Sequence, residues 1–176
     1  MNAKISHAIK YRKTANDTFY TPTELVNNHL NYIKEYVEDG DVIYDPFFGN
    51  GRYYNNFKNH FKNNSFEYTE IEMGLDFFDF NKKIDVICSN APYSILDKVF
   101  EKSIELNPHT ISYLIGHINL TPKRIDMMNK AGYYLSKSYI TQVHKWYGRT
   151  MIVVFTKKCN KNSIDFDRKT YYGDDP

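Results

Sequence analysis

The chain has 176 residues, enough for one domain with a sizeable core and too few for two ordinary domains. Its hydrophobic fraction of 41% and aromatic fraction of 16% predict a folded protein and exclude a disordered one. The formal net charge of +2 permits binding of nucleic acid through a local basic face but does not require it.

The cysteines and the apolar runs bear on the compartment in which the protein works. Cys88 and Cys159 lack the spacing of metal ligands and are interpreted as reduced thiols. No apolar run approaches the length of a membrane span, and the N-terminal residues lack the apolar core of a signal peptide. We therefore expect a cytoplasmic protein with no metal and no membrane contact. The many Asn, Lys, Tyr and Ile residues are typical of an AT-rich genome, so the expected compartment is the cytosol of a microbe or of a virus-infected host.

Three segments are predicted along the chain: a basic N-terminal arm over 1–17, a folded domain over 18–160 and a polar tail over 161–176. The domain opens with an amphipathic helix over 21–37. The sequence predicts Thr21 as the cap of this helix, with Glu24 completing a capping box.

Helix and strand alternate after this first helix. In chain order we predict a strand at 41–45, a helix at 52–61, strands at 65–71 and 84–90, a helix at 94–106, a strand at 110–116, a helix at 121–132, and two strands around Gly148 within 139–158. This order predicts an α/β fold, a mainly parallel sheet with helices on both faces and a C-terminal antiparallel hairpin. Ligands of such sheets bind at the carboxyl ends of the strands, where residues 45–51, 69–78, 89–94 and 116–124 are expected.

The turn over residues 45–51 reads DPFFGNG and suits a ligand-binding role. Gly49 and Gly51 allow the backbone to approach a ligand closely, and the next helix offers free N–H groups. Asp45 would repel a phosphate and suits a cationic or hydroxyl-bearing group. The turn therefore favours an amino-acid-bearing cofactor, with an ordinary strand–helix turn as the alternative.

Acidic residues end the next predicted strand. Glu70 is placed to accept hydrogen bonds from ribose hydroxyls, with Glu72 as a rival. Asp76 suits an adenine amine, and Phe77 suits the face of the ring. The alternative for Phe77 and the aromatic residues beside it is core packing.

These motifs, followed by Asn90-Ala91-Pro92-Tyr93, resemble those of the S-adenosylmethionine-dependent amino-methyltransferases of nucleic acids. The likeness is greatest to the adenine-N6 branch, whose signature is Asp-Pro-Phe-x-Gly-x-Gly followed by Asn-Pro-Pro-Tyr. Residues Phe19–Pro22 are similar to the motif before the first strand, and the resemblance covers residues 19 to about 157.

The resemblance implies a class I, Rossmann-like methyltransferase that uses S-adenosylmethionine to methylate adenine N6 in nucleic acid, DNA in preference to RNA. The residues it assigns to the cofactor are Tyr20, Thr21, Pro22, Asp45, Pro46, Phe47, Gly49, Gly51, Glu70, Ile71, Asp76, Phe77 and Asn90. Those it assigns to catalysis are Asn90, Ala91, Pro92 and Tyr93.

The chemistry fits this loop because the adenine amine is a poor nucleophile whose lone pair is shared with the ring. Two acceptors, the Asn90 side-chain oxygen and the Ala91 carbonyl, can hold the nitrogen towards tetrahedral geometry. Tyr93 would stack on the base, which must be flipped out or single-stranded. Ala91 replaces the family's Pro and keeps the carbonyl, while Pro92 still restrains it to an extended conformation.

Two later stretches are candidates for substrate binding. Lys123 and Arg124 could contact phosphates, and the predicted hairpin turn could stack on bases and contact the backbone. The candidate residues of that turn are Lys145, Trp146, Tyr147 and Arg149. Solvated helix charges and an exposed turn are the alternatives. Too few residues follow Tyr93 for a separate recognition domain, so we expect target choice to come from loops or from a partner subunit, or to be slight.

Three other functions stay open at this point. The same loop chemistry methylates glutamine amides in proteins, and it can serve cytosine N4. A non-catalytic nucleic-acid-binding subunit with this fold is the third alternative, and Ala91 is its best support. Methylation of cytosine C5 is disfavoured because Cys88 precedes the loop, inside the strand, and is interpreted as a small buried hydrophobe.

Overall fold

The computed structural model describes residues 20–143, 146 and 148–164. Within them the α-helices are α1 (Thr23–Ile33), α2 (Arg52–His60), α3 (Leu96–Leu106) and α4 (Pro122–Lys130). The strands are β1 (Val42–Asp45), β2 (Ser65–Tyr68), β3 (Val86–Asn90), β4 (Thr110–Gly116), β5 (Tyr134–Thr141) and β6 (Thr150–Thr156). The predicted arm and residues 165–176 of the predicted tail lie outside the described residues.

The described strands form one sheet in the order β2-β1-β3-β4-β6-β5. β1 pairs in parallel with β2 and β3, and β3 pairs in parallel with β4. β6 is antiparallel to both β4 and β5. The predicted mainly parallel sheet with an antiparallel C-terminal pair is confirmed. The carboxyl ends of β1, β3 and β4 therefore lie together, beside the start of β6.

Helices cover both faces of the sheet, as predicted. On α1, Val26, Leu30 and Ile33 recur at three- and four-residue intervals, which turns all three towards the sheet. α1 and α2 bury one face, while Phe100 of α3 and Met128 of α4 belong to the core on the other. β4 lies between the two cores, and all of its residues are buried.

The start of the first helix differs from the prediction. α1 begins at Thr23, after Pro22, and no side chain caps it. Pro22, and not Thr21, stands at the N-cap, so the expected capping box is wrong. The α-helix also ends at Ile33 and continues as a 3-10 turn over Lys34–Tyr36.

The start of β5 also differs from the prediction. β5 begins at Tyr134, five residues before the predicted strand at Tyr139, and pairs with β6 from that point. Ser136 and Lys137 weaken the apolar alternation in this segment, so its sequence signal is faint. Pairing with the fully buried β6 decides the conformation instead.

Candidate functional site

A cavity of about 390 Å³ lies where β1, β2 and β3 end. Its wall consists of Tyr20, Thr21, Pro46, Phe47, Phe48, Gly49, Asn50, Arg52, Tyr53, Glu70, Ile71, Glu72, Asp76, Phe77, Phe78, Asn90, Pro92, Ser94 and Ile95. These residues come from the segment before α1 and from the stretches that follow the three strands. The cavity is thus at the end of the sheet where the sequence predicts a ligand.

The turn after β1 uses backbone conformations that glycine adopts most readily. Gly49 has a φ of +53° and Gly51 a φ of +75°. A Cβ on Gly51 would lie 2.6 Å from the Phe48 ring, and a Cβ on Gly49 would lie 3.4 Å from the Tyr20 ring. The turn is therefore closed to larger residues at Gly51 and lies directly against Tyr20 at Gly49.

Three carboxylates border the cavity, and backbone amides bind two of them, Glu70 and Asp76. Glu70 accepts hydrogen bonds from the amide of Gly49 at 2.6 Å and from the amide of Glu72 at 3.2 Å. Asp76 accepts from the amide of Phe78 at 2.9 Å. A carboxylate offers about four lone-pair sites, so both keep acceptor capacity for ligand hydroxyls or amines. The backbone bonds fix their orientation beside the glycine turn.

Asp45 lies beneath the cavity rather than on its wall. The residue is fully buried, and Oδ1 accepts from Ser89 Oγ at 2.6 Å and from the Phe47 amide at 3.3 Å. Burial raises the pKa of Asp45 to about 7, although the Ser89 hydrogen bond opposes this shift. The carboxyl group is partly protonated near neutral pH, and its contacts join the end of β1 to β3.

The loop after β3 brings the predicted catalytic residues to the same cavity. Asn90 and Pro92 border it, while Ala91 is buried. Pro92 has φ −66° and ψ 126°, an extended conformation that carries the chain away from β3. The Ala91 amide donates to the Leu114 carbonyl of β4 at 3.3 Å, so the sheet holds the loop.

Tyr93 lies beside this loop, against the ends of β4 and β6. Its ring is 3.4 Å from the position of a Cβ on Gly116, and its hydroxyl is 3.4 Å from Thr150 Oγ1. The half-buried ring does not border the cavity. Its stacking on a substrate base stays a prediction.

The predicted cofactor and catalytic residues fall into two groups. Those that border the cavity are Tyr20, Thr21, Pro46, Phe47, Gly49, Glu70, Ile71, Asp76, Phe77, Asn90 and Pro92. Those that are next to them in the chain without bordering the cavity are Pro22, Asp45, Gly51, Ala91 and Tyr93. Four separate sequence motifs therefore meet around one space.

The predicted phosphate-binding residues of α4 are held by an acid. Lys123 Nζ lies 2.6 Å and Arg124 Nε lies 2.7 Å from the carboxylate of Asp97 on α3. Arg124 also donates to the Asn119 carbonyl at 2.6 Å. The hydrogen bonds from both cations hold the pKa of Asp97 below its usual range. These contacts tie α4 to α3, and phosphate binding by either cation stays a prediction.

The predicted hairpin turn is only partly described. Trp146 is half-buried and packs against the core under α1 and α2. Arg149 is exposed, and its carbonyl accepts from the His117 amide at 3.0 Å. Lys145 and Tyr147 lie outside the described residues. The substrate roles assigned to this turn therefore stay predictions.

Sequence reasoning missed several residues of the cavity wall. They are Phe48, Asn50, Arg52, Tyr53, Phe78, Ser94 and Ile95, while Glu72 was weighed only as a rival to Glu70. Arg52 and Tyr53 are the first residues of the helix that follows the glycine turn, and this position could have identified them as cavity residues. Arg52 Nη1 donates to the Thr21 carbonyl at 2.7 Å, a contact between stretches far apart in the chain.

Neither cysteine gives the site a reactive group. Cys88 is fully buried, which confirms its interpretation as a small core residue, and burial raises the pKa of its thiol well above the usual value. Cys159 is a free, partly exposed thiol. In the described part of the chain, no helix has the length and apolarity to cross a membrane, and no cluster of three or more His, Cys, Asp or Glu could hold a metal ion.

Solved structures match this chain, although no family model and no curated protein matches its sequence. A candidate RNA methyltransferase from Pyrococcus horikoshii matches with a TM-score of 0.58 and 13% identity, over 89% of this chain and 99% of that one. The E. cuniculi Mtq2–Trm112 complex, described as methylating the eRF1 termination factor, matches with a TM-score of 0.57 and 14% identity, over 79% and 98%. This chain has the class I methyltransferase fold.

A third neighbour extends the range of substrates found on the methyltransferase fold. It is the Burkholderia thailandensis 1,6-didemethyltoxoflavin-N1-methyltransferase with bound 1,6-didemethyltoxoflavin and S-adenosylhomocysteine. It matches with a TM-score of 0.58 and 9% identity, over 88% of this chain and 85% of that one. The names of the three neighbours point to RNA, a protein and a small molecule, so the likeness confirms the predicted fold but not a substrate.

Proposed function

We propose that this protein is an S-adenosylmethionine-dependent methyltransferase that acts on adenine N6 in nucleic acid, DNA in preference to RNA, in the cytosol of a microbe or of a virus-infected cell. The observation that carries the proposal is that Asn90 and Pro92 border the same cavity as Gly49, Glu70 and Asp76. A cradle for the methyl donor and a loop for the amine acceptor then share one space, as direct transfer requires.

The cavity suits the cofactor in size and in its polar groups. Its volume of about 390 Å³ falls in the range of roughly 300–1,000 Å³ that small-molecule pockets occupy. Glu70 would accept from the ribose hydroxyls and Asp76 from the adenine amine, with the rings of Phe77 and Phe78 beside the base. When bound, S-adenosylmethionine supplies a methyl group activated by its sulfonium. Asp45, which is buried under the turn, would act on this site through the backbone it holds.

The acceptor loop supplies positioning rather than a strong base. The Asn90 oxygen and the Ala91 carbonyl would accept from the two hydrogens of the amine, which directs its lone pair at the methyl group. These hydrogen bonds strengthen as positive charge develops on the nitrogen. The bond from Ala91 to Leu114 keeps the loop on the sheet although Ala stands where the family has Pro. Tyr93 would stack on a base that has left the duplex.

One comparison favours a second candidate, the methylation of a glutamine amide in a protein. The Mtq2–Trm112 complex is described as methylating a termination factor, and it shares this fold. A primary amide presents two hydrogens to Asn90 and Ala91 much as an adenine amine does. The same neighbour works as a complex of two proteins, which supports the proposal that a partner subunit contributes to target choice here.

Methyl transfer from labelled cofactor to single- and double-stranded oligonucleotides, RNA and a protein pool tests the proposal. We expect label in nucleic acid and N6-methyladenine on mass spectrometry of its nucleosides. Label only in protein would overturn the nucleic-acid assignment in favour of the second candidate, and N4-methylcytosine would overturn the choice of base. Calorimetry that shows no binding of S-adenosylhomocysteine would leave a non-catalytic subunit as the better account.

A further inference from the structure

A chain of buried polar side chains runs from the cavity wall into the core on the α1 side of the sheet. It consists of Tyr53, His29 and Ser112. Tyr53 borders the cavity, whereas His29 and Ser112 are fully buried. No step of the proposed reaction uses His29, so its place in the core needs another explanation.

His29 is neutral in this environment. Leu30 and Ile33, its neighbours on α1, are apolar and fully buried. Burial lowers the pKa of His29 to about 3. A buried imidazole is costly unless both of its nitrogens are hydrogen-bonded. Both are: Nδ1 lies 2.9 Å from Tyr53 Oη, and Nε2 lies 2.7 Å from Ser112 Oγ.

The hydrogen bonds of this chain have a single direction. The Ser112 hydroxyl donates its one proton to the Val153 carbonyl at 2.9 Å, so it must accept from His29 Nε2–H. Nδ1 of His29 is then an acceptor, and the Tyr53 hydroxyl donates to it. Each bond thus fixes the next, from β6 to the cavity wall.

Thr21 lies where this chain meets the cofactor cradle. It borders the cavity as Tyr53 does, and its carbonyl accepts from Nη1 of Arg52, the residue before Tyr53, at 2.7 Å. The preceding Tyr20 places its ring over Gly49, 3.4 Å from the position of a Cβ. The placement of Thr21 therefore sets the placement of the ring that covers the glycine turn.

We propose that the Tyr53–His29–Ser112 chain fixes Tyr53 in the cavity wall and so holds the adjoining Tyr20–Thr21 segment in the geometry that binds the cofactor, with Tyr53 and His29 as positioning residues. The inference rests on the proposed cofactor site and adds residues that act on it from the core. The chain is anchored to the carbonyl of Val153 on β6, so Tyr53 at the cavity wall is fixed to a strand far from it in sequence.

Removal of one hydroxyl tests the proposal. Tyr53→Phe deletes the hydroxyl that bonds to His29 and keeps the ring, while Tyr133→Phe is the matched control. The Tyr133 hydroxyl is also buried, and it donates to the Pro108 carbonyl at 2.6 Å, before the start of β4. We expect Tyr53→Phe to weaken binding of S-adenosylhomocysteine in calorimetry about 3- to 10-fold, the equivalent of one hydrogen bond. We expect Tyr133→Phe to lower stability without changing this affinity.

Two substitutions of His29 separate positioning from packing. His29→Leu removes both hydrogen bonds and should weaken cofactor binding as Tyr53→Phe does, with no further loss in the double variant. His29→Gln offers one acceptor and one donor on a single amide and should restore part of the affinity. In turnover assays the KM for the cofactor should rise while kcat at saturation stays unchanged. Equal affinities in wild type, Tyr53→Phe and His29→Leu, all folded, would overturn the proposal.

Spectroscopy of the wild-type protein keeps the proposal testable if these variants fail to fold. Imidazole ¹⁵N chemical shifts should show His29 as the neutral Nε2–H tautomer, and addition of S-adenosylhomocysteine should shift the Nδ1 resonance. An Nδ1–H tautomer would contradict the direction of the chain. If wild type itself does not bind S-adenosylhomocysteine, the proposed function fails. If wild type and the variants bind it alike, only this inference fails.

Discussion

The carboxyl end of the sheet has two regions, residues 45–95 and residues 116–149, whose roles were not equally predictable from the sequence. Around residues 45–95, motifs predicted separately border one cavity or lie directly beside its wall. Around residues 116–149, Asp97 holds Lys123 and Arg124, Arg149 is exposed, and Lys145 lies outside the described residues. Strand ends and glycine turns are placed by topology alone, whereas the role of a cation depends on which acid packs against it. Sites at strand ends and glycine turns are therefore easier to predict from sequence than sites that depend on cations.

The largest effect should come from Asn90, which joins the cradle to the acceptor loop. Asn90→Ala removes one of two acceptors that hold the amine, so we expect turnover to fall about 100-fold or more. The variant should still bind the cofactor, because the glycine turn, Glu70 and Asp76 are intact. Labelled methyl transfer and calorimetry measure the two quantities separately.

The control for this change is Asn63→Ala. Asn63 donates to Asp39 at 2.9 Å, just before the start of β2 and at the opposite end of the sheet. It should leave both turnover and cofactor affinity unchanged. Full activity of the Asn90 variant would remove the acceptor loop from the mechanism. Residues 45–95 would then no longer differ from residues 116–149 in having a predicted catalytic role.

A smaller effect, on stability, should follow from the glycine turn. Gly51→Ala puts a Cβ 2.6 Å from the Phe48 ring at a φ of +75°, whereas Gly132→Ala meets nothing within 4 Å at a φ of +83°. Both variants pay the conformational cost of a left-handed residue, ~1 kcal/mol. The clash should bring the total for Gly51→Ala to about 3 kcal/mol. Urea unfolding measures both, and equal losses would show that the turn yields to a side chain.

The strands and the binding end were predictable because their signals are local. Apolar runs such as residues 84–90 and 110–116 end in polar or glycine-containing stretches, and β3 and β4 lie there. The start of β5 was not predictable, because Ser136 and Lys137 are polar and only pairing with β6 makes the segment a strand. Propensity is overridden where a buried neighbour supplies the hydrogen bonds.

Within the site, the sequence predicted which residues follow the strands but not how deeply their side chains are buried. Asp45 was assigned to the cofactor, and its side chain is fully buried beneath the turn and bonded to Ser89. The sequence shows that Asp45 ends a strand. It does not show that Ser89, 44 residues later, donates to the buried Asp45 carboxylate. Tyr53 and His29 show the same limit, since their hydrogen bond joins two helices whose sequences read as ordinary amphipathic patterns.

The buried Asp45 should make the stability of the cofactor-free protein depend on pH. Its folded-state pKa, about 7, lies above its ordinary value of 3.8, so the folded protein holds a proton that the unfolded chain has lost. This contribution is complete below pH 3.8 and disappears as pH rises through about 7. Asp45→Asn cannot ionise. The melting temperature of wild type relative to the variant should therefore fall between about pH 4 and pH 7.

Thermal unfolding of both proteins across that interval isolates the effect of Asp45, because other titrating groups are common to them. His29 acts in the opposite sense, since its lowered pKa removes stability as pH falls towards 3. A difference in melting temperature that does not change with pH would show that Asp45 is ionised throughout. Its charge would then have to be stabilised by the Ser89 hydrogen bond and the amides of the turn.

The smallest effects should separate the two cations of α4. Arg124 is mostly buried and bonded to both Asp97 and the Asn119 carbonyl, so Arg124→Ala should cost about 1 kcal/mol of stability. Lys123→Ala should cost less than about 0.5 kcal/mol of stability, because the Lys123 side chain is 64% exposed. If Lys123 contacts phosphate, Lys123→Ala should lower by about 1 the slope of log affinity against log salt for an oligonucleotide. An unchanged slope would show that Lys123 contacts Asp97 and not phosphate. The contacts of α4 with Asp97 would then support the fold around the catalytic loop without binding nucleic acid.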